Sequence, residues 1–554
     1  MTEPPETIRA SLPAEIQDAV QARLLAAAEQ DILARIWSKD DTVFGLPGQR
    51  EVADRLGWLD IADRLTPVVD ELVAFADGVR ADGITDVVLL GMGGSSLAPE
   101  VLRRCLGSAK GHLTLHVLDS TDAQAVADVE TITDSARTLY IVATKSGGTI
   151  ETLSGFAHFH ARQPDGAHYV AITDPGSALV DLAVEHGFRQ TFLNDEQIGG
   201  RYSALSYFGL VPAALIGADL RALLQGAQIA AAGCRPLDTH IATPGLWLGV
   251  TIGELAVRGR DKLTFVIDAP LASFGLWVEQ LVAESTGKLR PHPDQSDQAV
   301  GILPVADEPP GAAEAYGDDR VFVHLRNGEA PVPEHEAHVA ALAAAGHPTI
   351  SADFSPSDAA SELGNLFFTA EFATAVAGWV LGINPFDQPN VQEAKDNTSR
   401  ALAQRTAAQP DAHDHELEAL LRDAGPPFYV AILGYVAPNP AFDDAIAILR
   451  ALIRDRTQAA TTFGYGPRYL HSTGQLHKGG PRHGRFLELV HEAPQDADIP
   501  GADYGFETLK AAQAIGDLQT LRDHGLPAER VTLTGVDPVT ALRHLIERIR
   551  PLLP

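Results

Sequence analysis

Two short loops rich in glycine and hydroxyl side chains carry the clearest chemical signal in this chain. Residues 91–96 read GMGGSS and follow the apolar run VVLL, whereas residues 144–149 read TKSGGT and follow LYIVA. Each pattern predicts a buried strand that ends in a loop and leads into a helix. Because backbone N–H groups and hydroxyls at helix N-termini bind anions, the two loops indicate a phosphate site at the carboxyl edge of one parallel sheet.

A dinucleotide-binding fingerprint is the alternative interpretation of the first loop. Ser96 stands where the third glycine of that fingerprint belongs, although Asp119 ends the next strand, where an acid that binds ribose would lie. The second loop favours a phosphate monoester instead, because Lys145 adds a cation to several hydroxyls at the same edge. The nucleotide-binding pattern GxxxxGK[ST] is absent from the sequence.

The chain contains few lysines, and one of them, Lys288, shares a motif-like segment with the acid Glu284. The chain has eight lysines. Four of them fall in glycine-rich or otherwise motif-like segments: Lys145, Lys288, Lys395 and Lys478. A lysine ammonium is a compact cation with a tunable pKa, which arginine does not replace at a proton-transfer site. In LVAESTGK, Glu284 is the last acid of an apolar helix that ends at Gly287, and it is a candidate base. A helix-terminal surface acid is the alternative interpretation, which this segment taken alone favours.

Alternating strands and helices must position these loops. After about sixty residues with helical periodicity, the runs VVLLG, LTLHVLD, LYIVATK, HYVAITD and TFLND alternate with helical stretches, and a second alternation begins near Leu263. This pattern predicts the α/β class, with two lobes that are each a parallel sheet flanked by helices. We predict an N-terminal helical segment at 1–60, a first lobe at 61–240, a second lobe at 241–500 and an α/β extension at 501–554 packed on the second lobe.

Composition restricts the class of partner. A net charge of −31 opposes binding to nucleic acid or to an anionic membrane surface, because a polyanion would be repelled. Cys105 and Cys234 are too few for a disulfide framework and indicate the reduced thiols of a cytoplasmic protein. The N-terminus lacks a signal-peptide pattern, and the apolar segment 366–382 carries Glu371 and is too short to span a bilayer.

Five separated motifs together resemble the glucose-6-phosphate isomerase family, which is built from two sugar-isomerase (SIS) lobes. Besides the lysine-bearing second loop they are GGRYSALSYFGL (199–210), LVAESTGK (281–288), NPFDQPNVQEAK (384–395) and YLHSTGQLHKGG (469–480). The likeness covers about residues 85–480. LHSTGQLHKGG and FETLKAAQAIGDLQTLRDHG are most similar to the isomerase half of the bifunctional transaldolase/phosphoglucose isomerases. About eighty residues precede the first strand, too few for an eight-stranded barrel, so isomerase activity alone is expected.

The resemblance implies interconversion of glucose 6-phosphate and fructose 6-phosphate, a step of glycolysis and gluconeogenesis, and it assigns residues to the substrate. The sugar phosphate would be bound by Thr144, Lys145, Ser146 and Thr149, beside Gly94 and Ser95 of the first loop. Gln388 and Lys395 would contact the substrate, with Lys395 helping to open the sugar ring. The resemblance also implies a homodimer.

The same resemblance assigns the proton transfers. Glu284 would be the base that moves a proton between C1 and C2, and Arg201 would stabilise the negative charge of the enediolate. His471 would be the acid/base that opens the ring, oriented by Glu151 in GGTIET. One base, one cation and one acid/base group complete this chemistry, so neither a metal nor a cofactor is expected.

The chain departs from the family pattern at three places. The histidine segment of most relatives lies between the glutamate and lysine segments, whereas His471 follows Lys395 here. Lys395 stands in QEAK rather than E-x-G-K, and Ser96 replaces the acid that many relatives have after GGS. The other histidines near these motifs are His292, His477 and His483, and no acid or cysteine completes a metal-ligand spacing with them.

Three other functions fit part of the pattern. A dual phosphoglucose/phosphomannose isomerase would use the same base on either C2 epimer. A non-catalytic sensor of sugar phosphates would need the phosphate loops but not Glu284, Arg201 and Lys395 together. A nicotinamide-dependent dehydrogenase would bind NAD(H), which a fluorescence titration detects.

Overall fold

The computed structural model describes residues 4–236, 242–290, 298–404 and 410–554, without the side chains of Val391, Gln392, Ala394 and Lys395. Three main sheets organise the described residues. Each contains parallel strands that alternate with helices along the chain. The predicted class, α/β with parallel sheets flanked by helices, is confirmed.

The first sheet has the strand order β3-β2-β4-β5-β6, and all of its strands are parallel. The elements up to its end are β1 (Ile8–Ser11), α1 (Ala14–Glu29), α2 (Ile32–Trp37), α3 (Ile61–Leu65), α4 (Val69–Ala81), β2 (Asp86–Gly91), α5 (Leu97–Leu106), β3 (Thr114–Leu118), α6 (Ala123–Ile132), β4 (Thr138–Ala143), α7 (Ile150–His160), β5 (Tyr169–Thr173), α8 (Ala178–Glu185), β6 (Gln190–Leu193), α9 (Tyr207–Leu215) and α10 (Leu220–Gly233). Every residue of β4 is buried, because helices cover both faces of the sheet.

The second sheet has the order β1-β12-β11-β7-β10, in which only β1 is antiparallel to its neighbour. Its elements are α11 (Pro244–Val257), β7 (Lys262–Ile267), α12 (Phe274–Thr286), β8 (Lys288–Arg290), β9 (Gln298–Val300), β10 (Leu303–Val305), β11 (Arg320–Asn327), α13 (Pro333–Ala344), β12 (Thr349–Phe354), α14 (Ala359–Leu381) and α15 (Val391–Gln404). Strands β8 and β9 form a separate two-stranded hairpin. Helix α12 is apolar and ends at Gly287, as the sequence predicts.

The third sheet has the order β14-β13-β15-β16, all parallel, and packs around its own apolar core. Its elements are α16 (Asp414–Arg422), β13 (Tyr429–Tyr435), α17 (Pro440–Thr457), β14 (Ala460–Tyr465), α18 (Gly474–Gly479), β15 (Gly484–Val490), α19 (Phe506–Asp523), β16 (Ala528–Thr532) and α20 (Pro538–Ile549). Residues 241–500, predicted as one lobe, therefore contribute strands to two sheets. The extension predicted from residue 501 supplies β16 to the third sheet, and the domain boundaries themselves stay a prediction.

One strand lies where only helix is predicted. Residues 8–11 form β1, which pairs with β12 from Ile8 opposite Ala352 to Ser11 opposite Thr349. Four residues are too few to show a period of two, and the hydrogen bonds that hold them extended come from a strand more than three hundred residues away. Within the described ranges, no helix combines the length and apolarity needed to cross a bilayer.

Candidate active site

A cavity of about 310 Å³ lies where the loops after β2 and β4 meet. These are the first and third strands of the first sheet along the chain, and the chain order reverses between them. In open α/β sheets, ligands bind outside the carboxyl ends of the strands at such a reversal. The predicted site residues that line the cavity are Gly94, Ser95, Thr144, Lys145, Ser146, Thr149, Arg201, Glu284, Gln388 and His471.

The first loop packs directly against the turn that carries Arg201. Residues 93–95 form a 3-10 turn between β2 and α5. A Cβ atom on Gly94 would lie 2.0 Å from the carbonyl oxygen of Gly200, so only glycine allows this approach. Gly94 therefore sets how closely the phosphate loops and the Arg201 guanidinium can converge.

The second loop places hydroxyl groups at the start of a helix. The Oγ1 atoms of Thr144 and Thr149 are 2.7 Å apart, and α7 begins at Ile150, directly after the loop. The positive end of the helix dipole favours a bound anion at this point. The arrangement is suited to a phosphate group.

Lys145 is held by acceptors on two sides. Its ammonium group pairs with the carboxylate of Asp174 and donates to the carbonyl oxygen of Glu196 over 3.1 Å. Burial raises the pKa of the Asp174 carboxyl above its ordinary value, against the opposing effect of Lys145. Asp174 also lines the cavity, and the motifs did not reveal it. Asp174 could have been found from its position directly after β5, at the same sheet edge as the two loops.

Glu284 and Arg201 face each other in the cavity. Glu284 Oε1 lies 3.4 Å from Arg201 Nη1, and the two side chains are 7% and 2% exposed. The guanidinium is fixed on its other side, because Nε donates to Ser285 Oγ over 2.8 Å and Nη2 donates to the carbonyl oxygen of Pro385 over 2.7 Å. The guanidinium is therefore held in a fixed position beside the candidate base.

Gln280, which the sequence motifs did not reveal, connects Glu284 to the histidine segment. It lies one helical turn before Glu284 on α12 and also lines the cavity. Its Nε2 donates to Glu284 Oε2 over 3.0 Å and to the carbonyl oxygen of His471 over 2.7 Å. These two bonds fix the orientation of the carboxylate relative to the histidine. In the sequence, Gln280 could have been found from its i, i+4 spacing to Glu284, which places both side chains on one face of α12.

His471 enters the cavity on a 3-10 turn after β14 and contacts the predicted acid. Its Nε2 lies 3.1 Å from Glu151 Oε1. Glu151 Oε1 also accepts a bond from Gln513 Nε2 over 2.7 Å, and Gln513 Oε1 accepts from Thr121 Oγ1 over 2.6 Å. Gln513 lies on α19, within the segment FETLKAAQAIGDLQTLRDHG to which the sequence assigns no site residue, and it is 2% exposed. A chain of hydrogen bonds thus runs from the core to the imidazole.

The other described histidines of this segment lie apart from the cavity. His477 is buried, and its Nδ1 lies 2.8 Å from the Tyr429 hydroxyl. Burial, with the nearby Lys478 charge, lowers the pKa of His477 to about 3. His483 is half-buried and does not line the cavity, and His292 lies outside the described residues.

The segment between α14 and α15 forms one wall. Gln388 lines the cavity from this segment, whereas the side chain of Lys395, on α15, lies outside the described residues. Lys288 is buried, and its Nζ donates to Asp387 Oδ1 over 2.7 Å. Burial, and then the neighbouring Arg201 charge, lower the pKa of Lys288 to about 8. Lys288 therefore holds Asp387 in place, directly before Gln388 in the cavity wall.

The arrangement has three chemical parts. Hydroxyls, backbone and Lys145 suit a phosphate group, the Glu284 carboxylate beside a guanidinium suits proton transfer next to a carbonyl, and the His471–Glu151 pair suits an acid/base step. All three parts meet in one cavity.

Comparisons with known proteins agree in naming one family. A family model described as phosphoglucose isomerase matches residues 59–300. The glucose-6-phosphate isomerase of Rubrobacter xylanophilus is 32% identical over 363 residues, which cover 58% of this chain and 83% of the relative. The glucose-6-phosphate isomerase of Trichormus variabilis is also 32% identical, over 250 residues, and that match spans 46% of its length.

A solved structure has the same fold. The crystal structure of a glucose-6-phosphate isomerase from Chlamydia trachomatis matches with a TM-score of 0.60 and 19% sequence identity. The match covers 72% of this chain and 89% of that one.

Proposed function

The chain belongs to the phosphoglucose isomerase family, and from this premise we propose that it interconverts glucose 6-phosphate and fructose 6-phosphate by proton transfer through an enediol. The observation that carries the proposal is the cavity in which Glu284, Arg201, His471 and both phosphate loops meet. The two sugars differ by one proton shift next to a carbonyl, once the ring is open.

The reaction begins with ring opening. The His471 imidazole, oriented by Glu151, gives a proton to the ring oxygen and takes up the proton that the hydroxyl on the hemiacetal carbon loses. The C–O bond of the ring breaks, and the aldehyde of glucose 6-phosphate is formed. The phosphate, held by the two loops away from C1 and C2, keeps the open chain in place.

Proton transfer between C2 and C1 follows. The Glu284 carboxylate removes the proton from C2, the C1=C2 bond forms, and the negative charge moves to the oxygen on C1, beside Arg201. Glu284 then returns the proton to C1, while the proton on the C2 oxygen passes to the negatively charged C1 oxygen, so that C2 becomes the ketone of fructose 6-phosphate and C1 keeps its hydroxyl. The distance of 3.4 Å between Glu284 and Arg201 supports this assignment, because one residue pair then serves both the proton and the charge.

The remaining site assignments follow the family likeness. We propose that Lys395 helps ring opening and that Gln388 contacts the substrate, which its position in the cavity wall supports. A homodimer, the absence of nucleic-acid partners, the cytoplasmic location and the special likeness to the isomerase half of bifunctional enzymes stay predictions.

Purified protein, treated with EDTA, tests the activity directly. We expect conversion of fructose 6-phosphate to glucose 6-phosphate, followed in a coupled assay, and no tight binding of NAD(H) in a fluorescence titration. A parallel assay with mannose 6-phosphate decides whether the pocket accepts the other C2 epimer. Absence of turnover with phosphate-loop binding intact would favour a sugar-phosphate sensor and contradict the proposal.

Lys145→Met is expected to raise KM for fructose 6-phosphate by about 10–150-fold, with a smaller change in kcat. The reason is the loss of a charge-assisted hydrogen bond to phosphate, worth ~1.5–3 kcal/mol. Steady-state kinetics measure the effect, and Lys110→Met, which changes an exposed lysine outside the cavity, is the control. An unchanged KM in Lys145→Met would place the phosphate elsewhere.

Gln513→Leu is expected to lower kcat by about 10–100-fold, the range typical of outer hydrogen-bond partners. Leucine removes the donor that orients Glu151, so the His471–Glu151 pair loses its alignment. The loss is expected with the cyclic sugars but not with a shorter aldose phosphate that cannot close a ring. Gln519→Leu, on the exposed face of the same helix, is the control. Equal losses on both substrates would indicate a general structural effect instead.

A further inference from the structure

A second group of chemically competent side chains lies at the carboxyl edge of the second sheet, outside the cavity described above. Asp268 follows β7 directly, His324 lies in the neighbouring strand β11, and His335 lies in the first turn of α13. One ligand atom from each of the three lies within 4.8 Å of the other two. The cavity of the proposed active site lies at the corresponding edge of the first sheet, which is where open α/β sheets place their sites.

One distance within this group matches that between neighbouring ligands of one metal ion, and a second is less than 1 Å from it. Tetrahedral zinc with bonds of about 2.0–2.2 Å places its ligand atoms roughly 3.3–3.5 Å apart. Asp268 Oδ1 and His324 Nε2 are 3.4 Å apart, which is long for a hydrogen bond but fits two ligands of one ion. His335 Nδ1 is closer to Asp268 Oδ1, at 2.6 Å. This last separation must widen by less than 1 Å, and the exposed fraction of the His335 side chain, 29%, leaves it room to move.

The surroundings direct one oxygen of the carboxylate at the two imidazoles. Asp268 Oδ2 accepts a bond from the backbone N–H of Asn327 over 3.0 Å, so Oδ1 alone faces His324 and His335.

We propose that Asp268, His324 and His335 bind one divalent transition-metal ion, with zinc the best match. Two imidazoles and one carboxylate form a donor set that zinc accepts, and a water molecule completes the tetrahedron. The partly exposed His335 gives the ion a path to the site. The ion ties the start of α13 to the edge of the sheet, apart from the isomerase chemistry, because none of the three residues lines the active-site cavity.

The full chain, stripped with EDTA and dialysed, tests the proposal by titration with Zn²⁺ in a calorimeter and with Co²⁺ by visible absorption. We expect one tightly bound equivalent, the intense d–d absorption of tetrahedral Co²⁺ and a higher Tm with metal. His335→Ala is expected to weaken binding at least ~10-fold and to abolish the Co²⁺ bands, because a direct ligand contributes no less than an outer partner. His335→Ala should retain isomerase activity, and this activity shows that the variant is folded.

His338→Ala is the matched control, because His338 lies one turn further along α13 and is outside the group. It should bind metal as the wild type does. No bound equivalent in the wild type would show that the three side chains are only a hydrogen-bonded cluster. Binding that survives His335→Ala, or that His338→Ala also removes, would place the ion on other histidines and overturn the proposal.

Discussion

Replacing Glu284 with glutamine is expected to lower kcat for fructose 6-phosphate by about 10²–10⁴-fold, the usual contribution of a general base. Glutamine keeps the shape of the side chain and its contact with Gln280, but it cannot take the proton from carbon. KM should change little, because the phosphate loops are untouched. A coupled assay measures kcat, and NMR in D₂O measures exchange of the C1 or C2 hydrogen with solvent, which should cease.

Glu279→Gln is the matched control for this prediction. Glu279 precedes Gln280 on α12 but lines a different cavity, together with Asp307 and Arg450. Burial raises the pKa of Glu279 to about 8, so this carboxyl is mostly protonated near neutral pH and its replacement by glutamine changes little of the local charge and leaves the proposed base in place. Turnover in Glu279→Gln should be near that of the wild type. Hydrogen exchange that persists in Glu284→Gln would show that another group is the base.

His471→Asn is expected to lower kcat by about 10²–10⁴-fold on the cyclic sugar phosphates, because asparagine cannot transfer the proton to the ring oxygen. The same variant should retain most of its activity on a shorter aldose phosphate that cannot close a ring. Glu284→Gln should lose activity on both substrates. Paired steady-state assays with the cyclic and acyclic substrates measure this difference.

His483→Asn provides the control for the histidine assignment. His483 lies in the same segment but does not line the cavity, so its substitution should leave both rates unchanged. If His471→Asn lost activity equally on the acyclic substrate, the histidine would act in the proton transfer at C1 and C2 or in substrate positioning, and the ring-opening role would be wrong.

The residues predicted from motifs share one physical property: each belongs to a short segment whose own sequence determines its local geometry. The loops after β2 and β4 are of this kind, because strand, loop and helix follow one another within about twenty residues. Glu284 is similar, since the apolar helix and Gly287 fix its place at the helix end. Parallel strands then bring their carboxyl ends to one edge.

Gln513 and Asp174 escaped prediction for the opposite reason. Gln513 is a polar residue in a helix whose importance depends on a contact with Glu151, and nothing near it in the chain signals that contact. Asp174 is one of many acids in an acidic chain, and only its position at the sheet edge distinguishes it. The division of residues 241–500 between two sheets likewise depends on which strands pair, because the alternation of strands and helices is the same in either arrangement.

The hydrogen bond from Gln513 to Glu151 spans 362 residues of sequence, and this has a consequence for the enzyme during its synthesis. A ribosome that adds about 5–20 residues per second needs roughly 20–70 s to travel from one partner to the other. When that interval begins, both phosphate loops are already translated; Glu284 follows within it, and His471 and α19 come only near its end. A nascent chain can therefore acquire its anion-binding edge early, but it becomes a working catalyst only after α19 has been translated.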